Sequence, residues 1–308
     1  MTRKNINKVV VFGGAGFLGS HVADALTEKG FDITVFDINE SKYLMHSQNM
    51  VTGDILDSVK VREIVNESDI VFHFAGVADI NKANLKPLDA VRYNILGTTN
   101  ILDACVNAKI SRFIFASTVY VYSEHGGFYR STKQACELLI ENYQKTYGLD
   151  FTIFRFGSLY GRRANDFNWI RQILKQALIE GKICRKGDGE DIREYIHVKD
   201  AAQACVDLLD DEYKNEYFII SGSQTIKVKE LLRMINEIMD NKLEIEYLDE
   251  HLEGHYELTP YTFRPRMARK YSSRTTIELG QGLLDTIYDV YKELKRSDNE
   301  QSIITLPD

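Results

Sequence analysis

The sequence is short of several things. It has only four prolines, no proline-rich linker, no internal repeat and no low-complexity tract. No apolar run approaches the roughly 18 residues of a membrane-spanning helix, so no membrane attachment is expected. Its four cysteines (Cys105, Cys136, Cys184 and Cys205) include no CxxC pair. Scattered singly, they read as reduced packing thiols rather than a disulfide frame. Basic residues are not in excess: the formal net charge is -7, which argues against broad nucleic-acid binding, since that needs a basic face. The opening MTRKNINKVVVFGG passes from a polar lead straight into a strand, unlike a secretory signal. A cytoplasmic location is expected.

What is present is an ordinary globular composition. The 308 residues are 44% hydrophobic and 27% charged, enough for a large core. Short runs rich in Val, Ile and Phe alternate with helix-like stretches through the first half: KVVVFGG, DITVFDI, DIVFHFAG, RFIFAS and DFTIFRFG. That rhythm marks βαβ units, and right-handed crossovers make a doubly wound parallel sheet the expected α/β fold. After about Gly157 the rhythm loosens. Residues 1–157 are expected to form the large domain, with returning segments near 192–222. Residues 158–308 are expected to form a smaller, discontinuous mixed α/β lobe. RQILKQALIEGK and KELLRMINEIM look like amphipathic helices packed on a core.

The turn after the first strand carries Gly13, Gly16 and Gly19, with Phe17 and Leu18 between the last two. Glycines there permit a tight turn and let backbone N–H groups approach a pyrophosphate, which the following helix N-terminus also attracts. A second strand ends in Asp37, the position for an acid that holds the adenosine ribose hydroxyls. Its charge would repel a 2'-phosphate, and DINES has no arginine to bind one, so NAD is favoured over NADP. Asp54, beside Ile55 in VTGDILD, reads equally as an adenine contact or a helix N-cap.

The stretch FIFASTVYVYSEHGGFYRSTKQACELL puts Ser117 and Thr118 at the end of a strand, then Tyr129 and Lys133 four apart on one helix face. A phenol titrates at about 10, too high for a base at neutral pH. A nearby ammonium and the positive ring of oxidised nicotinamide would favour its phenolate. Tyr129 is then expected to take a proton from a substrate hydroxyl while hydride leaves the carbon, with Thr118 hydrogen-bonding the same oxygen.

The glycine loop, HFAG, FIFAST, Tyr129-x-x-x-Lys133 and REYIHVKDAA together resemble the extended short-chain dehydrogenase/reductase superfamily. The NAD-dependent sugar-nucleotide epimerases and dehydratases, UDP-galactose 4-epimerase among them, are the most similar members. The resemblance spans nearly the whole chain. It implies a Rossmann domain binding NAD and a lobe binding a nucleotide diphosphate sugar. It also assigns Phe74, Ala75 and Gly76 to the cofactor, Asn94 to support of the active site and contact with the cofactor, and Lys133 to the nicotinamide ribose. Ser117, Thr118 and Ser158 are assigned to the substrate, Arg193 to its diphosphate, and Arg264 or Arg266 to a second cation there. A homodimer built on the helices after Asp89 and Tyr129 is implied as well.

Departures from the family narrow the chemistry. Where related 4,6-dehydratases carry Asp-Glu after the strand-end hydroxyl, and decarboxylases a Glu, Val119 and Tyr120 stand here. No cysteine matches that of the GDP-fucose-forming epimerase/reductases. The Thr118–Tyr129 segment lacks the usual Pro-rich insertion, Gly126-Gly127 suggests a tight, flexible turn and a more open site, and Ala78 replaces a lysine of UDP-galactose 4-epimerase. A 4-epimerase is expected, with an NAD(P)H-dependent reductase of a 4-keto sugar nucleotide as the alternative. The intact hydroxyl, phenol and amine speak against a noncatalytic NAD-binding protein. His251 and His255 of HLEGH sit four apart, but Gly254 interrupts a helix and no third ligand is near in sequence, so no metal is expected.

Overall fold

A computed structural model describes residues 7–248, 269–270 and 276–296. The large sheet begins with β1 (Lys8–Phe12), β2 (Asp32–Asp37), β3 (Asn49–Thr52), β4 (Ile70–His73), β5 (Arg112–Thr118) and β6 (Phe151–Phe156). The connecting helices are α1 (Phe17–Glu28), α2 (Ser58–Asn66), α3 (Ile80–Leu85), α4 (Pro87–Ala90), α5 (Gly97–Ala108) and α6 (Gly127–Tyr147). Helices α4 and α5 are continuous through a π-helical stretch, Val91–Leu96. The second half supplies β7 (Ser158–Tyr160), α7 (Trp169–Glu180), β8 (Lys182–Lys186), β9 (Ile192–His197), α8 (Val198–Asp207) and β10 (Glu216–Ile220). It continues with β11 (Thr225–Lys227), α9 (Val228–Ile238), β12 (Glu244–Leu248), β13 (Arg269–Lys270) and α10 (Leu279–Arg296).

The eight-stranded sheet has the order β3-β2-β1-β4-β5-β6-β10-β13, and every neighbouring pair is parallel. Strands β1, β4, β5 and β6 are nearly continuous buried runs because both faces are covered. One face packs Val65, Leu102, Cys136 and Ile140 from α2, α5 and α6 against Phe12, Phe113 and Ile153. The other packs Val22 and Leu26 of α1 and Ala201 and Cys205 of α8 against Val11, Phe72 and Phe154. This is the doubly wound arrangement, and the strand order reverses between β1 and β4, where such sheets open a ligand crevice.

The smaller lobe has its own core, in which Leu174, Ile183, Leu232, Ile235, Leu283 and Ile287 meet. It contains a three-stranded sheet, β11-β9-β7, and a pair, β12-β8. Asn168 caps α7 by accepting from the Arg171 N–H at 3.2 Å. Within the segment expected to return to the large domain, α8 packs on α1 and β10 pairs with β6, but β9 stays in the three-stranded sheet. Among the described residues no helix is long and apolar enough to cross a membrane.

Two buried histidines lie where α1, α8 and the small lobe meet. His197 packs edge-on to Tyr160 at 5.3 Å, and neither of its ring nitrogens has a hydrogen-bond partner among the described residues. The Nε2 of His21 lies 3.0 Å from the Arg162 carbonyl oxygen. Burial pushes both down to about 4 from an ordinary 6.5. As pH falls from 6.5 to 4 the unfolded chain therefore binds protons that the folded protein refuses. Stability is lost across that window, by up to roughly 3 kcal/mol for each ring. The melting temperature is expected to drop from pH 7 to pH 4.5, and His197→Phe to flatten part of that slope. An unchanged slope in the variant would clear His197 of this role.

Candidate active site

The carboxyl ends of β1, β2, β4 and β5 open onto one cavity of about 880 Å³. Gly13 leaves β1 at φ +77°, a conformation that suits glycine, and its N–H donates to the Phe36 carbonyl at 2.8 Å. A Cβ added there would lie 2.5 Å from the Ala75 nitrogen, and one at Gly19 would lie 2.2 Å from the Gly13 carbonyl oxygen. The turn can therefore hug both the next turn and the helix only without side chains. Gly16 begins α1 with no side-chain cap, so the helix presents unsatisfied N–H groups and its positive dipole end to the cavity. Gly13, Gly16, Phe17, Leu18 and Gly19 all line it.

Asp37 lines the same cavity. Its carboxylate accepts from the Ala15 and Asn39 N–H groups, each at 3.1 Å, which fixes it at the mouth of the glycine turn with acceptor capacity left for ribose hydroxyls. Asp54 and Ile55 also line the wall. Asp54 accepts from the Leu56 N–H at 2.9 Å, and the N-cap of α2 is Asp57. That excludes the capping alternative for Asp54. Phe74, Ala75 and Gly76 complete this side. The cradle of bare backbone, uncapped helix end and ribose-facing carboxylate fits a dinucleotide.

Ser117, Thr118, Tyr129 and Lys133 meet on the opposite wall. Tyr129 sits in the first turn of α6, half-buried, with its hydroxyl hydrogen-bonded to the Thr118 side chain. Burial pushes this phenol up to about 12, and the Thr118 bond pulls it back only in part. Lys133 lies one helical turn after the phenol on the same wall. Its ammonium donates to the Ala116 carbonyl at 2.7 Å and lies 4.5 Å over the Phe115 ring. Burial pushes the amine down to about 8, against the favourable fields of Cys136 and Glu137. Burial is the largest influence on the Tyr129 phenol in the protein alone; the ring of an oxidised nicotinamide would add a positive charge that favours phenolate.

Several expected contacts fall elsewhere. The Asn94 amide is buried, not at the cavity wall. Its Oδ1 accepts from the Val77 N–H at 2.7 Å and its Nδ2 donates to the Val77 carbonyl at 3.1 Å and to Thr132 Oγ1 at 2.9 Å. It pins the turn after β4, with Gly76 at φ +144° leaving room for it. Its amide thus braces the turn that forms this side of the cavity. Ser117 reaches the wall, but its hydroxyl donates to buried Glu137 at 2.5 Å. Ser158 is absent from the wall while its neighbours Gly157 and Leu159 are present, as strand alternation requires. Arg193 also lies off the wall, donating to the Ile192 carbonyl at 3.1 Å with Asp191 Oδ1 3.6 Å away. Arg264, Arg266 and HLEGH lie outside the described residues.

The cavity also takes residues that sequence alone did not single out. Lys82, Lys86 and Asp89 come from α3, α4 and the loop between them, and Tyr120 from the 3₁₀ turn after β5. Asn165, Phe167 and Asn168 come from the turn before α7. Asn165 Oδ1 is buried with no hydrogen-bond partner among the described residues, which suits a polar ligand contact. The only sequence signal for that turn was its cluster of Asn and Asp before an apolar helix. Gly126 and Gly127 are fixed by packing: a Cβ on the first would lie 2.8 Å from the Tyr120 ring, and one on the second 2.2 Å from Asn84 Oδ1. The turn is tight as expected, but it is filled, not loose.

The model of the NAD dependent epimerase/dehydratase family matches residues 9–220. The chain belongs to that family. Its cofactor is NAD. Among relatives of this epimerase/dehydratase chain, the UDP-N-acetyl-alpha-D-glucosaminuronate decarboxylase of Bacillus cytotoxicus is 29% identical over 267 residues, covering 78% of this chain and 83% of that protein. The UDP-glucose 4-epimerase of Thermotoga maritima, solved with UDP-glucose, superposes with a TM-score of 0.82 at 25% identity, covering 93% of this chain and 99% of that one. The Thermus thermophilus UDP-glucose 4-epimerase, solved with NAD, shares the fold with a TM-score of 0.78 at 22% identity, covering 92% and 99%.

Gly13→Ala is expected to weaken NAD binding by about tenfold or more, since the added carbon forces the two turns apart. Gly30→Ala, where a Cβ would meet nothing within 4 Å, is the control for backbone strain alone. Fluorescence titration with NADH reads both. Equal affinities in the two variants would mean that the Gly13 turn does not form the cradle.

Proposed function

We propose that the protein is an NAD-dependent 4-epimerase of a nucleotide diphosphate sugar. One observation carries this reading: a Tyr129–Thr118 hydroxyl pair shares a cavity with the dinucleotide cradle, and among the described residues no carboxylate lines that cavity beside the pair, Glu137 lying behind Ser117 in its ion pair with Arg155. The acids that line the cavity among the described residues are Asp37, Asp54, Asp79 and Asp89. Asp37 and Asp54 belong to the cofactor side. Asp79 accepts the Lys82 N–H at 3.1 Å as the cap of α3, and Asp89 follows Pro87 in α4. Elimination of water or loss of carbon dioxide wants a second acid or base beside the phenol, and Val119 and Tyr120 occupy those places.

When bound, NAD accepts hydride from the sugar carbon and can return it. Tyr129 takes the proton of the C4 hydroxyl as the carbonyl forms and gives it back to the oxygen on reduction. Thr118 holds the same oxygen by hydrogen bond, so the proton moves over a fixed path. Lys133, nearly buried, orients the nicotinamide ribose and contributes positive charge to the site. The keto sugar turns over between the two half-reactions, which inverts C4 without net consumption of NAD. The relatives' names support nucleotide sugars as the substrate class.

Incubation with a panel of nucleotide sugars, followed by proton NMR, is expected to show interconversion at C4 with no lasting change at 340 nm. Stoichiometric bleaching of added NADH by a keto sugar nucleotide would turn the reading to a reductase. Tyr129→Phe is expected to cut turnover by about 10²-fold or more while NADH affinity stays within about twofold. Turnover like that of the wild type in this variant would remove the assigned base.

A homodimer is part of the proposal. Leu88, Val91, Leu96, Leu138 and Tyr147, all exposed at 42–77%, lie on the helices expected to pair. Light scattering is expected to give twice the chain mass, and Leu138→Glu to shift it toward the monomer. A monomeric wild type at micromolar concentration would end this part.

A further inference from the structure

Three consecutive residues of β5 are tied to three residues of α6 spaced by four. The Thr118 side chain meets the Tyr129 hydroxyl, the Ala116 carbonyl takes the Lys133 ammonium at 2.7 Å, and the Ser117 hydroxyl donates to Glu137 Oε1 at 2.5 Å. The first two ties belong to the chemistry. The third does not touch the cofactor side, yet it is the most heavily anchored. Arg155 of β6, which pairs in register with Ser117, donates to both Glu137 oxygens, from Nε at 3.0 Å and from Nη2 at 2.6 Å. Its Nη1 donates to the Tyr122 hydroxyl at 2.6 Å, and its guanidinium lies 4.8 Å over the Tyr122 ring and 4.7 Å over that of Tyr217. Glu137 is 5% exposed and Arg155 1%.

The far end of the same helix is held differently. Helix α6 starts at Gly126-Gly127 without a capping side chain of its own. Asn84 Oδ1 accepts the Phe128 N–H at 3.1 Å, and among the described residues no ion pair anchors that first turn, in which Tyr129 lies. A helix fixes distance along its axis at about 1.5 Å per residue, so anchoring Glu137 sets the depth of Lys133 and Tyr129. A buried ion pair is a costly way to gain stability; here three hydrogen bonds from Arg155 and Ser117 hold the Glu137 carboxylate in one place.

We infer that Glu137, clamped by Arg155 and linked to β5 by Ser117, is the positioning residue that sets the register of Tyr129 and Lys133 against the strand. This rests on the catalytic assignment made above. Glu137 also faces Lys133 one turn away, and its charge opposes the burial that lowers the amine. The other titratable groups around Lys133 are Cys136 on the same helix and buried His73 on β4, held neutral by its own burial. Tyr129 lies one turn before it.

Two variants separate the parts. Ser117→Ala keeps the ion pair and cuts only the link to β5, so it is expected to fold and to lose about tenfold in kcat with KM and NADH affinity within about twofold. Glu137→Gln keeps shape and an acceptor for Ser117 but removes the charge. It is expected to move the Lys133 inflection in the pH profile of NADH affinity from near 8 to about one unit lower. Wild-type kcat in Ser117→Ala, with an unmoved inflection in folded Glu137→Gln, overturns the inference. If Glu137→Gln does not fold, Ser117→Ala alone decides. Retained turnover in Tyr129→Phe would instead strike the catalytic assignment, and the inflection in Glu137→Gln would still report whether Glu137 governs Lys133.

Discussion

The chemistry of this protein depends on how closely two turns approach each other at the edge of the large sheet. Gly13 and Ala75 end neighbouring strands, and their backbones lie so near that a single methyl group has no place between them. Because the strand order reverses there, α1 and the segment after β4 leave on opposite faces and the gap between them becomes the cavity floor. The helix end at Gly16, the carboxylate of Asp37 and the Asn94 clasp on Val77 are placed relative to that contact.

The second wall solves a different problem, that of keeping polar groups dry and still usable. Tyr129 and Lys133 are both driven toward their neutral forms by burial. A site that destabilises charge on a buried phenol and amine responds strongly to a charge brought in by a ligand. An oxidised nicotinamide carries such a charge and the reduced form does not, so under the proposed reading the affinity of the phenol for its proton would follow the redox state.

Much of this was legible in the sequence, for a simple reason. The glycine turn, Asp37 and the Tyr129–Lys133 pair are local features: each lies within a strand end, a turn or one helical turn, where spacing alone fixes geometry. What the sequence leaves open is placement that depends on distant parts of the chain. Ser158 sits in a three-residue strand whose facing is decided by its pairing with β9, which no local pattern reveals. Arg193 is likewise oriented by its strand and by Asp191. Asn94 lies in a π-helical stretch, whose turn no local spacing announces. Lys82 and Lys86 reach the cavity only because α3 folds back along it, and β13 is a two-residue pairing below any sequence signal.

The path of the chain has one further consequence. From β6 it enters the small lobe at β7, returns through α8 and β10 to the large sheet, and leaves again at β11. A single exchange of gene segments between two relatives would therefore carry over only part of the small lobe, leaving its core of α7, α9 and α10 half foreign.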